Sequence, residues 1–518
     1  MLPPLSVCFS WVATHVSACL YLSVLMPRLP KLALRTLYLT HRWTGICMGL
    51  LMVSWCASGI VMLWHGWPQP DEKAQQAVYA PLHLPDTLPD IPSLSAPNAQ
   101  FRGFRLASIG DEPVLTLYPA KGSSFAVDLR TGHTGTITPE DASASARRYA
   151  QATGTYQEPV FDGTTTDDQW VLDTHGRQDG FHRYRFEDVS RTYLYVSRLT
   201  GDVVQATTAA SRRWAWVGAI PHWLYPALLR RHPSLWQQVV IVFSGIGVFL
   251  TITGLLVGVL RLRRKWPFSY YRRWHLVHHL GGTVFGLLAL SWITTGLLTM
   301  NPAGLFESEQ ALLYPQRVSG AVNGRTIQTL LQKLITTPPS AWTQVQGVVL
   351  ADKVSLRVEK RDGQSERLSA QLQPERLTPD MLEKALHQSH VLSPQSHLSL
   401  ITRPDAYYFN HATHIRTFPV LKGTAPDGTL LYLNAQTGEL VAAFDTPAKQ
   451  SRWIVYGLHD LDLWEWLRKP VARWTIVFPL LCGVLLIYLS GVIIAAKRLK
   501  WKMGRRTSSS GQKNLIKS

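Results

Sequence analysis

Four of the 18 histidines in this 518-residue chain fall into two copies of one spacing: His41 with His278 and His222 with His459, each pair 237 positions apart. A neutral imidazole can ligate a metal ion. Beside a membrane it can equally cap a helix or meet a lipid headgroup, and for an isolated histidine those are the ordinary uses. If the spacing reflects a repeated unit, a twofold axis would bring the two members of each pair face to face. The remaining histidines are weaker candidates. His175, His182, His387, His390 and His397 lie in polar stretches and are expected to be solvated. His411 and His414 have the i, i+3 spacing of helical metal ligands but no third partner. His275 and His279 flank His278, and His65 ends an apolar run, so each is a spare for one of the four.

The elements that must position these residues are apolar. Four runs contain no charged residue: Trp43–Trp64, Trp236–Leu260, Leu276–Met300 and Trp474–Ala496. At 1.5 Å per residue each reaches about 33–38 Å, enough to cross a hydrocarbon core of about 30 Å. Tryptophans at or near their ends suit the interfacial belt. The net charge of +18 is located beside these runs. Segments 26–42, 261–275 and 497–518 carry four, six and eight Lys/Arg without one Asp or Glu, and the rest of the chain holds 34 residues of each sign. A basic balance can signal nucleic-acid binding, but cations flanking apolar runs follow the positive-inside rule, and no nucleic-acid partner is expected. With the basic segments cytoplasmic, all four spans agree on one path. The expected division is a cytoplasmic start and first span over 26–64, a loop over 65–235 and a second span over 236–260. A cytoplasmic turn over 261–275 and a third span over 276–300 follow, then a second loop over 301–473, a fourth span over 474–496 and a basic tail over 497–518. The two long loops are then external. Residues 1–25 are apolar from Leu5 to Leu25 without a basic leader or a clear cleavage site. They read as a fifth helix, an atypical signal segment or sequence upstream of a start at Met26; the last is the expectation, because Met26-Pro-Arg-Leu-Pro-Lys31 resembles a cytoplasmic N-terminus.

The 237-residue offset extends well beyond the histidines. His41, Gly45, Gly49, Ser54, Trp55 and Gly59 meet His278, Gly282, Gly286, Ser291, Trp292 and Gly296; Trp216 meets Trp453, and Gly254 and Arg261 meet Gly491 and Arg498. Apolar segments align by chance; histidine and tryptophan repeatedly in one register do not. Both units start and end on the same side, so the fold class expected is a membrane protein of four principal transmembrane helices in two parallel repeats. Gly45, Gly49, Gly282 and Gly286 form small-xxx-small faces for close helix packing or, alternatively, for the approach of a flat cofactor. Each loop should form a small α+β domain. Phe125–Gly132, Tyr195–Gly201 and Tyr432–Gly438 are strands ending in Thr-Gly, a hairpin signal. Helices are expected over Pro139–Gln151 and Thr378–Gln388.

A helix opening His41-Arg-Trp-Thr-Gly45, the Thr-Gly hairpin units and a histidine ahead of the next span together resemble the PepSY-associated transmembrane family over roughly residues 35–500. That resemblance implies two PepSY-like periplasmic domains on four helices in the bacterial inner membrane. It also implies a haem-b oxidoreductase that reduces a periplasmic ferric siderophore, with a quinol or another membrane or cytoplasmic donor supplying the electrons and membrane lipid around it. Two haems would then take His41/His278 and His222/His459 as axial ligands, one towards each face of the membrane. All five cysteines lie in apolar stretches and no CxxCH motif exists, so covalent haem attachment is excluded. The cytoplasmic segments are too short for a nucleotide-binding domain. Two other readings stand beside this one: a non-enzymatic module that binds or inhibits a periplasmic partner, and a siderophore permease. The absence of Asp, Glu, Lys and Arg from the four runs counts against the permease.

Overall fold

A computed structural model describes residues 30–514 apart from 111, 175, 264, 265, 267, 337–341 and 411–415. The apolar segment before Met26, His175 and the His411/His414 pair lie outside the described residues.

Four helices are long and apolar enough to cross a membrane: α1 Lys31–Met62, α2 Pro233–Leu260, α3 Trp274–Leu298 and α4 Pro470–Lys500. Their cores match the charge-free runs, but α1 starts twelve residues before Trp43, and the helix of α4 continues beyond Ala496 as far as Asn514. Lys31, Arg35 and Arg42 thus ride on helical turns, as long cationic side chains can when their tips reach the membrane surface. The helices form a ring in which α1 packs on α2 and α4, and α3 packs on α2 and α4. This bundle, with its adjoining segments Trp216–Leu305 and Ser451–Ser518, forms one compact unit.

The two long polar segments form the second unit, Trp67–Ala215 with Phe306–Gln450. Their α+β content is as expected, but they are not two separate domains. The first contributes β1 Gln100–Ile109, β2 Glu112–Pro119, β3 Phe125–Asp128 and β4 Thr134–Gly135 to a shared sheet. The second contributes β9 Val322–Asn323, β10 Trp342–Leu350, β11 Lys353–Lys360 and β12 Ser365–Leu368. The strand order is β12-β11-β10-β1-β2-β3-β4, with β9 also on β1. Antiparallel β1 and β10 join the two segments in the middle, Phe104 opposite Gly347. A Cβ on Gly347 would lie 2.2 Å from the Phe104 ring, so glycine is required where these strands meet. Phe104, Leu106, Leu115, Val345 and Leu356 bury one face against the helix Gly324–Thr336, whose Ile327, Leu330, Leu331 and Leu334 recur at helical spacing.

Beyond the shared sheet each segment repeats one plan. A helix, Pro139–Ala152 or Pro379–Gln388, is capped by Thr138 or Thr378 accepting from the amide three residues on. A four-stranded sheet follows: β5 Val160–Thr165, β6 Phe181–Arg185, β7 Tyr193–Ser197 and β8 Val203–Thr207 in the first segment. In the second it is β13 Ser399–Ile401, β14 Val420–Thr424, β15 Leu430–Asn434 and β16 Leu440–Phe444. The three Thr-Gly tips form as expected: Gly132, Gly201 and Gly438 have φ of 75°, 70° and 78°, and donate their amides to Asp128, Ser197 and Asn434. One expectation fails here. His182 is not solvated but buried in β6, its Nε2 2.9 Å from the Ile137 carbonyl and its Nδ1 3.0 Å from the Thr164 hydroxyl. Strand alternation turns it inward, and burial lowers its pKa.

Candidate functional site

His41 is the eleventh residue of α1, and His278 the fifth of α3. Their helices stand diagonally across the ring, and the two imidazole centroids are 6.3 Å apart with planes inclined by 37°. His222 lies on a short turn, Ala219–Trp223, packed on α1; His459 follows a π-helical segment, Arg452–Gly457, packed on α3. Their centroids are 6.1 Å apart at 51°. Both expected pairs therefore meet.

Each ring is held by a neighbouring helix in the same way. The Nδ1 of His41 is 3.2 Å from the Leu250 carbonyl and 3.4 Å from the Thr253 hydroxyl. That of His278 is 3.0 Å from the Ile487 carbonyl and 3.2 Å from the Ser490 hydroxyl. At the other level, His222 Nδ1 is 3.1 Å from the Trp55 carbonyl and 3.4 Å from the Ser58 hydroxyl. His459 is 3.0 Å from the Thr295 hydroxyl and bonded to the Trp292 main chain, while the Trp292 indole donates to the His459 carbonyl at 2.9 Å. Every one of these partners recurs 237 positions on. A carbonyl accepts only from a protonated nitrogen, so the proton belongs on Nδ1 and the lone pair on Nε2, the arrangement that metal-ligating histidines use.

Glycine makes room for each ring. A Cβ on Gly254 would lie 2.7 Å from His41 Cε1, on Gly59 3.1 Å from His222, on Gly491 3.2 Å from His278 and on Gly296 3.5 Å from His459. Of the glycines expected to pack helices, Gly49 and Gly286 do so, 3.0 Å from Val492 and 2.5 Å from Leu255. Gly282, one turn beyond His278, opens onto space with no atom within 4 Å.

The two levels are separated by 14–18 residues of α1, from His41 to Trp55 and Gly59, or about 21–27 Å along the helix. The outer loops are anchored by different devices. Arg452 and Asp462, both buried, pair at 2.9 Å beneath the His459 loop. The His222 loop is held by Arg230 stacked between Tyr225 and Trp236, at 5.2 and 4.8 Å, and by the Trp236 indole donating to Trp223. Burial lowers the pKa of His222, and burial together with His222 lowers that of His459 to about 4, so both are neutral at physiological pH.

Two imidazoles on one metal ion, each bond about 2.0 Å, place their ring centres about 6 Å apart, which both pairs satisfy. Axial ligation of haem needs two imidazoles on opposite faces, and Gly282, one turn from His278, leaves its side of α3 open. The residues fit the group. Of the spares, His279 spends both nitrogens, on the Ser269 hydroxyl and the Gly258 carbonyl at 2.8 Å each, and His275 stacks on Tyr271. The four cradle glycines and the hydroxyl partners are the functional residues that the sequence reading did not assign. Gly59/Gly296 and Gly254/Gly491 were visible as matches at the offset, whereas Thr253/Ser490 and Ser58/Thr295 match only as hydroxyls.

No curated protein matches the chain. The family model described as PepSY-associated TM region matches residues 38–343, more than half of the sequence and including three of the four site histidines. With four helices able to span a bilayer around that match, the chain belongs to the PepSY-associated TM region family of multi-pass membrane proteins.

Proposed function

We propose that the chain is a haem-b oxidoreductase of the bacterial inner membrane that delivers electrons across the bilayer to a ferric siderophore, releasing iron as Fe(II). The observation that carries this reading is the pair of facing, Nδ1-anchored imidazoles at each of two levels of one bundle. His41 and His278 would hold one haem and His222 and His459 the other. Bound there, the group supplies a reversible one-electron iron couple. The chain's own residues do the rest. The Leu250, Ile487, Trp55 and Trp292 carbonyls fix the tautomer and aim each ring, and the cradle glycines let it lie against the neighbouring helix. Between the levels, Met48, Met52, Trp55, Cys56, Trp292 and Tyr488 pack an interior that excludes water.

The basic segments support a cytoplasmic side for His41 and His278, with the long polar segments periplasmic. The 237-residue register of helices, hydrogen bonds and strands supports an internal duplication, with the repeats parallel and related by an axis along the membrane normal. Reduction weakens hard-oxygen coordination of iron, so one electron suffices to loosen a ferric chelate.

Purified protein, expressed with adequate haem, is expected to show a Soret band, about two haems per chain, and reoxidation on mixing the reduced form with a ferric hydroxamate or catecholate. Absence of the Soret band overturns the reading.

A further inference from the structure

The two halves of the bundle differ at one place beside the inner histidine pair. Helix α3 starts at Trp274, whose equivalent at the 237 offset is Leu37, yet α1 starts at Lys31. The equivalents of the extra turns, residues 268–273, form instead the reverse turn that leads into α3, bridged from Ser269 to Leu262. The extension of α1 and the facing side of α2 wall a groove of about 720 Å³. Ala33, Thr36, Thr40, Phe249, Thr253 and Leu256 line it. All belong to candidate membrane spans, so among the described residues the groove faces the membrane.

Its polar groups are few and specifically placed. Thr36 and Thr40 lie one turn apart on one face. Among the described residues neither hydroxyl has a hydrogen-bond partner, whereas Thr251, Thr253 and Thr295 bond back to a carbonyl of their own helix. A hydroxyl left unmatched against lipid costs free energy. The third hydroxyl, Thr253, lies within 3.4 Å of His41 Nδ1, so one residue forms both the groove wall and the His41 cradle. The walls thus suit a ligand with a long apolar tail and a flat head bearing oxygens. An acyl chain would leave Thr36 and Thr40 unmatched, while the ring oxygens of a quinol would match them.

We propose that this groove is the quinol-binding site that feeds the inner histidine pair, an inference that rests on the oxidoreductase reading. One quinol loses two O–H bonds and becomes the quinone. Its two protons would leave to the cytoplasmic water, and its two electrons would pass singly to the redox group held by His41 and His278 and on to two equivalents of external Fe(III).

The test uses haem-loaded protein in nanodiscs and a photoreactive azido-quinone. Labelling is expected within residues 31–40 or 249–256. Ala33→Trp, which fills the groove without touching His41, should abolish that labelling. It should also slow haem reduction by a short-chain quinol at least about tenfold, with haem content and the dithionite-reduced spectrum unchanged. Thr40→Val, nearly isosteric, should weaken quinone binding about threefold to tenfold and covers the case in which the Trp variant fails to fold. Labelling elsewhere, an unchanged reduction rate in both variants, or a phospholipid in the groove that quinone does not displace would overturn the proposal. A chain without a Soret band that still labels in the groove would instead overturn the oxidoreductase reading and leave the quinone site standing.

Discussion

Where the first half of the chain pairs the half-buried Arg105 with Asp202, through two hydrogen bonds of 2.7 and 2.9 Å and a third contact from the Tyr79 hydroxyl, the second half places Gln346 3.2 Å from Glu439. Arg105 and Gln346 are register partners across the central strands, and Asp202 and Glu439 follow the two Thr-Gly tips at the 237 offset. A bidentate charged pair and a single neutral-to-charged hydrogen bond thus do the same structural work. The outer loops diverge as freely, with Arg452–Asp462 in one half and Arg230 between aromatic rings in the other. At the histidines nothing of the kind happens: imidazole, carbonyl, hydroxyl and glycine are retained in kind in both halves. Anchoring the fold accepts many solutions, while facing imidazoles around a shared axis accept one. Under the proposed duplication, the differences between the halves set residues that hold the structure apart from those proposed to carry its chemistry.

The largest effect should come from breaking that retained set. His41→Ala or His278→Ala is expected to lower haem from about two to about one per chain and to cut electron delivery by about a hundredfold or more, read by pyridine haemochrome and by iron release; two haems retained would dissociate this pair from the cofactor. Next is the tolerant region. Arg105→Ala strands a half-buried carboxylate and should cost about 1.5–3 kcal/mol, against about 1 kcal/mol for Gln346→Ala, both from thermal melts at neutral pH. Burial opposes ionisation of Asp202, but Arg105 outweighs it and holds the carboxyl below its ordinary value. The contribution of this pair is therefore complete above about pH 4 and is lost as pH falls through the lowered value, so the gap between the two variants should close in acid. A smaller difference separates the cradles. Gly254→Ala, with 2.7 Å available, should destabilise by about 1–3 kcal/mol and loosen the inner haem, whereas Gly296→Ala, with 3.5 Å, should be nearly neutral. Smallest of all, Ser490→Ala and Thr295→Val each remove one of two partners of an imidazole, and should cost about 0.5–1.5 kcal/mol with haem content unchanged.

Much of the bundle was legible because lipid imposes a simple grammar: charge-free runs of about 20 residues, basic ends, and rare residues in register. The ends of the helices were less so, since Lys31 and Arg35 sit on α1 although they carry charge. The histidine pairing followed from the offset alone. The cradle did not, because a glycine that admits an imidazole, such as Gly254, reads in sequence like one that packs helices, such as Gly49. Least legible was the shared sheet. The pairing of Phe104 with Gly347 is a contact across more than 240 residues, and no local pattern in either strand names its partner. His182 was misread for a related reason, because β6 was not recognised as a strand with an inward face.

That central strand pairing also sets a timetable for the chain's birth. At about 5–20 residues per second, β10 leaves the ribosome roughly 12–50 s after β1, with two membrane helices made in between. Through that interval β1 has one edge without its partner, an open template for another strand. Two spans therefore have to be inserted before the first polar segment can complete its sheet, and a chain cut short after α2 should be prone to aggregation even though its own hydrophobic strands are all present.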